Sequence, residues 1–112
     1  TADSYAHLAE LSSRLRDSLN AVIAEHGFQW RVVTEGAKGC VTFRRERVQE
    51  FRDFLEVDAR LGQLHWLVQH NGGVFLPPWG KVEQWLLSVQ HSPADVDRFA
   101  RNFARFAQAV SP

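Results

Sequence analysis

The sequence predicts an α+β domain in which helices cover a small antiparallel sheet. Three observations lead there. Apolar residues recur at helical spacing in long stretches at both ends of the chain. Between them lie short apolar or alternating runs bounded by glycine and proline, the pattern of brief strands. The resulting order is helix, two strands, two helices, two strands and a final helix.

From Tyr5 to His26, Leu8, Leu11, Leu15, Leu19 and Val22/Ile23 recur at three- and four-residue steps. Arg14, Arg16, Asp17 and Glu25 fall on the other side, so the stretch reads as an amphipathic helix. Ser4 can cap its start, and Gly27 suits the left-handed position that ends it. Residues 28–33 alternate, placing Phe28, Trp30 and Val32 on one face of a half-buried strand. Residues 34–39, with Gly36 and Gly39, read as a turn, and Cys40 to Phe43 as the second strand of a hairpin. Residues 44–57 give a weaker signal, a short helix or packed loop anchored by Val48, Phe51, Phe54 and Leu55.

Asp58 can cap the next helix, whose apolar positions are Leu61, Leu64, Trp66/Leu67 and Val68. Asn71-Gly72-Gly73 stops it. Val74-Phe75-Leu76 reads as a short strand halted by Pro77-Pro78. Two prolines and a glycine then make 77–81 a loop. Residues 84–89 form a further strand. Ser92-Pro93-Ala94-Asp95 is a strong helix start, with a serine cap, proline at the first position and an acidic third residue. Val96, Phe99, Phe103, Phe106 and Val110 supply the buried stripe that follows.

At 112 residues the chain has room for one domain, 1–112, with one modest core. Its 45% apolar and 23% charged residues belong to a globular protein, not a disordered tail. Thirteen basic residues balance thirteen acidic ones, which argues against nucleic acid or an anionic membrane as partner. Arg44, Arg45 and Arg47, interrupted by Glu46, read as a solvated surface run. With one cysteine no intrachain disulfide can form, which fits a reducing, cytoplasmic setting. Cys40 itself, in an apolar strand, reads as a small buried hydrophobe. No apolar run approaches the ~20 residues of a membrane span, and no signal peptide is evident. The start at Thr1 and the lack of methionine are what an excised segment of a longer protein would show.

Spacing alone reveals no catalytic constellation. None of the five histidines falls in a zinc-binding pattern, and His65 and His70, five apart, diverge on a helix. No metal is expected. The glycines form no phosphate-binding loop, and Gly72-Gly73 reads as a helix stop. Trp30 and Trp85 in strands and Trp66 in a helix read as core residues. Trp79, in the Pro-Pro-Trp-Gly loop, is open to three readings: loop packing, contact with another domain, or framing a pocket.

One ordered set of features goes further. Residues 71–91 read Asn-Gly-Gly-Val-Phe-Leu-Pro-Pro-Trp-Gly-Lys-Val-Glu-Gln-Trp-Leu-Leu-Ser-Val-Gln-His. This resembles the small domain of class III pyridoxal-phosphate-dependent aminotransferases of the glutamate semialdehyde aminomutase type. That family has a glycine-ended helix, a Gly-Val-aromatic strand and proline loop, then a glutamate before an apolar strand ending in Ser-x-x-His. It continues with Thr/Ser-x-x-Asp-Ile/Val-Asp and a last amphipathic helix, matched here by Ser92-Pro93-Ala94-Asp95-Val96-Asp97. The helix carrying Tyr5, Leu8, Leu11 and Leu15 matches the helix that precedes the family's small-domain strands. The resemblance spans essentially the whole chain.

The resemblance implies the C-terminal small domain of a fold-type I enzyme, which usually acts as a homodimer. Pyridoxal phosphate would be held by the large domain, whose lysine forms the Schiff base. Alone, the chain is expected to be inactive and to bind no cofactor. It offers no catalytic residue of its own. Glu83 is the leading substrate-side candidate: it could pair with an arginine, accept from a substrate amine, help hold a gating loop, or simply cap the strand entrance. Lys81 could meet a substrate carboxylate as a point charge or be solvated, and Trp79 shares their loop. Relatives commonly carry Pro-Ser-x-Phe-Glu here, whereas this loop, Pro78 to Glu83, is one residue longer and contains a lysine. That leans towards an aminotransferase over an aminomutase. The alternative is a free-standing binding or regulatory module derived from such a domain.

Overall fold

The computed structural model describes residues 1–77 and 84–112. In order, α1 spans Ala2–His26, β1 Arg31–Glu35, β2 Lys38–Thr42, α2 Phe51–Leu55, α3 Ala59–Asn71, β3 Gln84–Leu86 and α4 Pro93–Val110. The strands form one antiparallel sheet in the order β1-β2-β3, so the expected α+β class is the one observed.

α1 buries Leu11, Leu15, Leu19 and Ile23, the stripe read from the sequence. Its cap is Thr1, not Ser4: the Thr1 hydroxyl accepts from the Ser4 N–H, which lies inside the first turn. Gly27 ends the helix at φ 70°, in the left-handed region. The first strand is shifted from the expected 28–33, and the six-residue turn is replaced by a two-residue one at 36–37, with Glu35 opposite Lys38. Gly36 takes φ 58°, the positive value that the first position of such a tight hairpin can require. Gly39 is therefore a strand residue. It faces Trp85 across β2–β3, and any side chain there would run into the indole ring.

α4 follows the reading most closely. Ser92 and Asp95 exchange hydrogen bonds in a capping box with Pro93 at the helix start. Val96, Phe99, Phe103 and Phe106 are buried. α4 packs on α1 and α3, and α1 also contacts β1. Phe28 and Trp30 stack at 3.9 Å, and Trp30 carries that stack onto Phe106 at 5.4 Å, joining hairpin to core.

Four further expectations are corrected. Residues 74–76 are not a strand: the Val74 N–H donates to Gln69 O, and the Trp66 indole N–H points at the carbonyls of Leu76 and Pro77. With those groups engaged by α3, no strand ladder forms there. The strand predicted over 84–89 ends at Leu86, because the chain turns back at 88–91. Arg44 is not solvated. It lies within 4 Å of the carboxylates of Glu46, Asp53 and Glu56 and donates to Asp53 O, fastening the post-hairpin loop to α2. The aromatic anchor expected at Phe51 points outward, whereas the neighbouring Val57 is buried.

The largest correction concerns α3. Asp58 caps it as expected, accepting from the Arg60 and Leu61 N–H groups. Its buried side is Gly62, His65 and Gln69, whereas Leu64 and Leu67 are 38% and 50% exposed. Trp66 is only half-buried, stacking on His70 at 5.1 Å instead of entering the core. Leu61 and Val68 pack against the core as read, Leu64 and Leu67 lie on the outer flank, and the polar side chains of His65 and Gln69 join the contact with α4.

Candidate functional site

A cleft of about 460 Å³ opens between the extended segment 73–77, β3 and the first turns of α4. Leu15, Trp85, Leu87, Val96 and Phe99 form its apolar floor. His91, Asp95 and Arg98 supply polar and charged groups from the α4 side. Phe75 and Leu86, both strongly exposed, stand among the lining residues. Pro77 and Gln84 also line it. Glu83, Trp79 and Lys81 fall in the intervening stretch, outside the described residues.

The Ser-x-x-His segment builds the cleft's corner. His91 Nδ1 accepts from the Ser88 N–H at 2.9 Å, and the His91 N–H donates to Ser88 O at 3.1 Å, closing a tight turn. His7 on α1 reaches the His91 carbonyl at 2.9 Å and ties that turn to the first helix. Asp95 is committed to capping: hydrogen bonds from the Ser92 backbone and hydroxyl hold its carboxyl below the usual carboxylate range. Trp85 Nε1, on the floor, is the buried side-chain polar atom that lacks a hydrogen-bond partner among the described residues. The indole is 5% exposed, lies over Gly39 and meets Phe99 edge-on at 5.3 Å.

Gly72, at the root of the wall 73–77, is held by a buried polar set that sequence reading did not single out. Asn102 Nδ2 donates to Gln69 Oε1 at 3.1 Å and to Gly72 O at 3.3 Å. Gln69 Nε2 donates to Phe99 O at 3.1 Å and stands 3.0 Å from His65 Nε2. The imidazole is surrounded by Phe106, Phe103, Phe99 and Phe43 at 5.1 to 5.9 Å between ring centres. Burial there lowers the His65 pKa from 6.5 to about 4, so the ring is neutral at neutral pH. A signal was present in the sequence: Asn102 interrupts the apolar stripe between Phe99 and Phe106, and His65 and Gln69 share a helix face at four-residue spacing.

Lys38 is exposed on β2 and is not among the residues that line the cleft. Among the described residues no group of three or more His, Cys, Asp or Glu is placed to hold a metal ion. No described helix is long and apolar enough to cross a membrane. Cys40 is half-buried, and burial raises its thiol pKa, the reverse of an activated nucleophile.

No protein-family model matches the chain. Individual proteins do. It is 30% identical over 94 residues, 84% of its length, to a glutamate-1-semialdehyde 2,1-aminomutase of Thermus thermophilus. It is 27% identical over 103 residues to glutamate-1-semialdehyde 2,1-aminomutase 1 of Macrococcus caseolyticus. The chain resembles one domain of the class III aminotransferases. A β-phenylalanine aminotransferase from Variovorax paradoxus superposes on 91% of the chain with TM-score 0.78 and 29% identity. A glutamate-1-semialdehyde aminomutase from Pseudomonas aeruginosa superposes on 95% with TM-score 0.84 at 21% identity, a likeness of fold. The chain spans about a quarter of the length of the curated relatives it matches. It covers a similar 23% of each of these two solved chains.

Proposed function

We propose that the chain is the C-terminal small domain of a pyridoxal-phosphate-dependent aminotransferase or aminomutase acting on an amino acid or amino-aldehyde. In this reading residues 1–112 form one domain, which walls the substrate side of an active site otherwise built by a large domain, in a homodimeric enzyme. The supporting observation is the similarity to aminomutases over 84 to 92% of the chain, matched by only about a quarter of their length. The cofactor supplies the electron sink for amino transfer when bound. In this reading the domain contributes an apolar floor that excludes water, and Trp79, Lys81 and Glu83 are the residues assigned to the substrate side. Glu83 is the residue assigned to substrate or arginine pairing, and Lys81 to a substrate carboxylate.

The isolated chain should be catalytically silent. Mixed with pyridoxal phosphate it should give no internal-aldimine absorbance in the visible and no borohydride-reducible adduct at a single lysine. A stable adduct at Lys38 or Lys81 would overturn the reading. The length of the parent reading frame separates the enzyme from a free-standing binding module, which would be short.

A further inference from the structure

The polar groups between α3 and α4 form a chain with a direction. Asn102 uses both amide hydrogens, one on Gly72 O and one on Gln69 Oε1. Gln69 uses both of its own, one on Phe99 O and one towards His65 Nε2. An amide nitrogen can only donate, so His65 Nε2 must accept and the ring proton must sit on Nδ1. Turning either amide over would set N–H against N–H or oxygen against oxygen.

The far end of this chain is the root of the cleft wall. Gly72 O is held by Asn102, and a side chain at Gly72 would collide with the Asn102 amide. One residue past Gly73, the Val74 N–H is held by the backbone carbonyl of Gln69.

We infer that His65, Gln69 and Asn102 form a proton-sensitive latch that fixes the Gly72 carbonyl, the root of segment 73–77, to α4 only while His65 is neutral. A proton on Nε2 would face the Gln69 amide hydrogens. Gln69 must then turn its oxygen to the ring, which withdraws its donor from Phe99 O and sets its N–H against that of Asn102. Asn102 must turn in response and release Gly72 O. The disturbance thus runs from the aromatic nest to the wall. The side chains facing the ring are Phe43 beyond β2, Phe99, Phe103 and Phe106 on α4, and Gln69 on α3. None of these is charged, and burial alone keeps the ring from protonating until about 4. Any bearing of the latch on substrate rests on the function proposed above, but the latch itself is a property of this chain and is testable without cofactor.

The test is a pH titration of the ¹⁵N-labelled chain by NMR. At neutral pH the His65 Nε2 resonance should be that of an unprotonated acceptor. As His65 gains its proton, the side-chain amides of Gln69 and Asn102 and the backbone amide of Val74 should shift with the same midpoint. Protection of Val74 from exchange should fall by about tenfold, the worth of one hydrogen bond, while the amides of Leu15 and Phe103 stay protected. His65→Phe should remove this acid step. If that variant does not fold, the wild-type titration decides alone. A proton on Nε2 at neutral pH, wall resonances indifferent to His65, or wall and core losing protection together would each overturn the inference. None of those results depends on whether the chain serves an aminotransferase.

Discussion

Asn102→Ala is the most informative single change, because its cost can be worked from the geometry. The asparagine is 4% exposed and donates twice, to Gln69 Oε1 at 3.1 Å and to Gly72 O at 3.3 Å. Each bond contributes about 1 kcal/mol net, and each acceptor left buried without a partner costs about 1–3 kcal/mol. Alanine at this helical position carries no propensity penalty and regains a few tenths of a kcal/mol. If water reaches one of the two acceptors, the net loss is about 2–4 kcal/mol, and it should vanish from neither end of a cycle with Gln69. Urea unfolding followed by far-ultraviolet circular dichroism measures it directly, with an unchanged denaturant slope identifying a stability effect. In the double-mutant cycle with Gln69→Ala, the coupling should exceed about 0.5 kcal/mol, as expected for side chains in one network. A loss below about 0.5 kcal/mol with the same slope would mean that the buried amides contribute nothing to α3–α4 docking. The latch described above would then have no structural basis.

Three further outcomes follow from the same packing. Gly39→Ala places a methyl group into the Trp85 indole; overpacking of this kind costs about 1–3 kcal/mol, and the tryptophan emission should shift as β2 and β3 separate. Burial depresses His65 from 6.5 to about 4, so the unfolded chain takes up this proton first. Its contribution to stability is therefore full above pH 6.5, declines as pH falls towards 4 and is flat below that, a loss of about 3 kcal/mol that His65→Phe should abolish in acid unfolding curves. Ser92→Ala removes the hydroxyl half of the α4 capping box and should cost about 1 kcal/mol in the same denaturation assay, with helix content otherwise retained.

The terminal helices were legible because period and punctuation agree. In α4 the Ser-Pro-x-Asp start and the spacing of Val96, Phe99, Phe103 and Phe106 point to the same buried face, and the structure uses it. The hairpin was legible in kind but not in register. Gly36 and Gly39 look alike in sequence, yet one supplies a positive φ and the other leaves room for an indole that arrives from β3, forty-six positions later in the chain. Residues 74–76 misled for a related reason: their apolar run is real, but its backbone partners are the Gln69 carbonyl and the Trp66 indole. Local pattern reports which side chains avoid water; it does not report which backbone groups are already taken. The assignment of Glu83, Lys81 and Trp79 to a substrate side rests on family resemblance, whereas the cleft that Pro77 and Gln84 both line comes from the fold.

α3 carries the most instructive conflict. Rotated about its axis, it could direct Leu64 and Leu67 to the core, and burying two leucines would contribute several kcal/mol, at about 1.5–3 kcal/mol each. The structure turns His65 and Gln69 inward instead. The fixed acceptors decide the choice. Gly72 O, outside the helix ladders, costs about 1–3 kcal/mol if left buried without a partner, and Phe99 O, an acceptor of the α4 ladder, has room for a second donor. Leucine can donate to neither, whereas Gln69 and Asn102 together donate to both and use their remaining groups on each other and on His65. A purely apolar contact would tolerate sliding by a turn. This one admits a single rotation and a single height of α3 against α4, and so sets where segment 73–77 begins. Leu64 and Leu67 are left on the outer flank as a consequence, and their exposure is the counterpart of a precisely seated cleft wall.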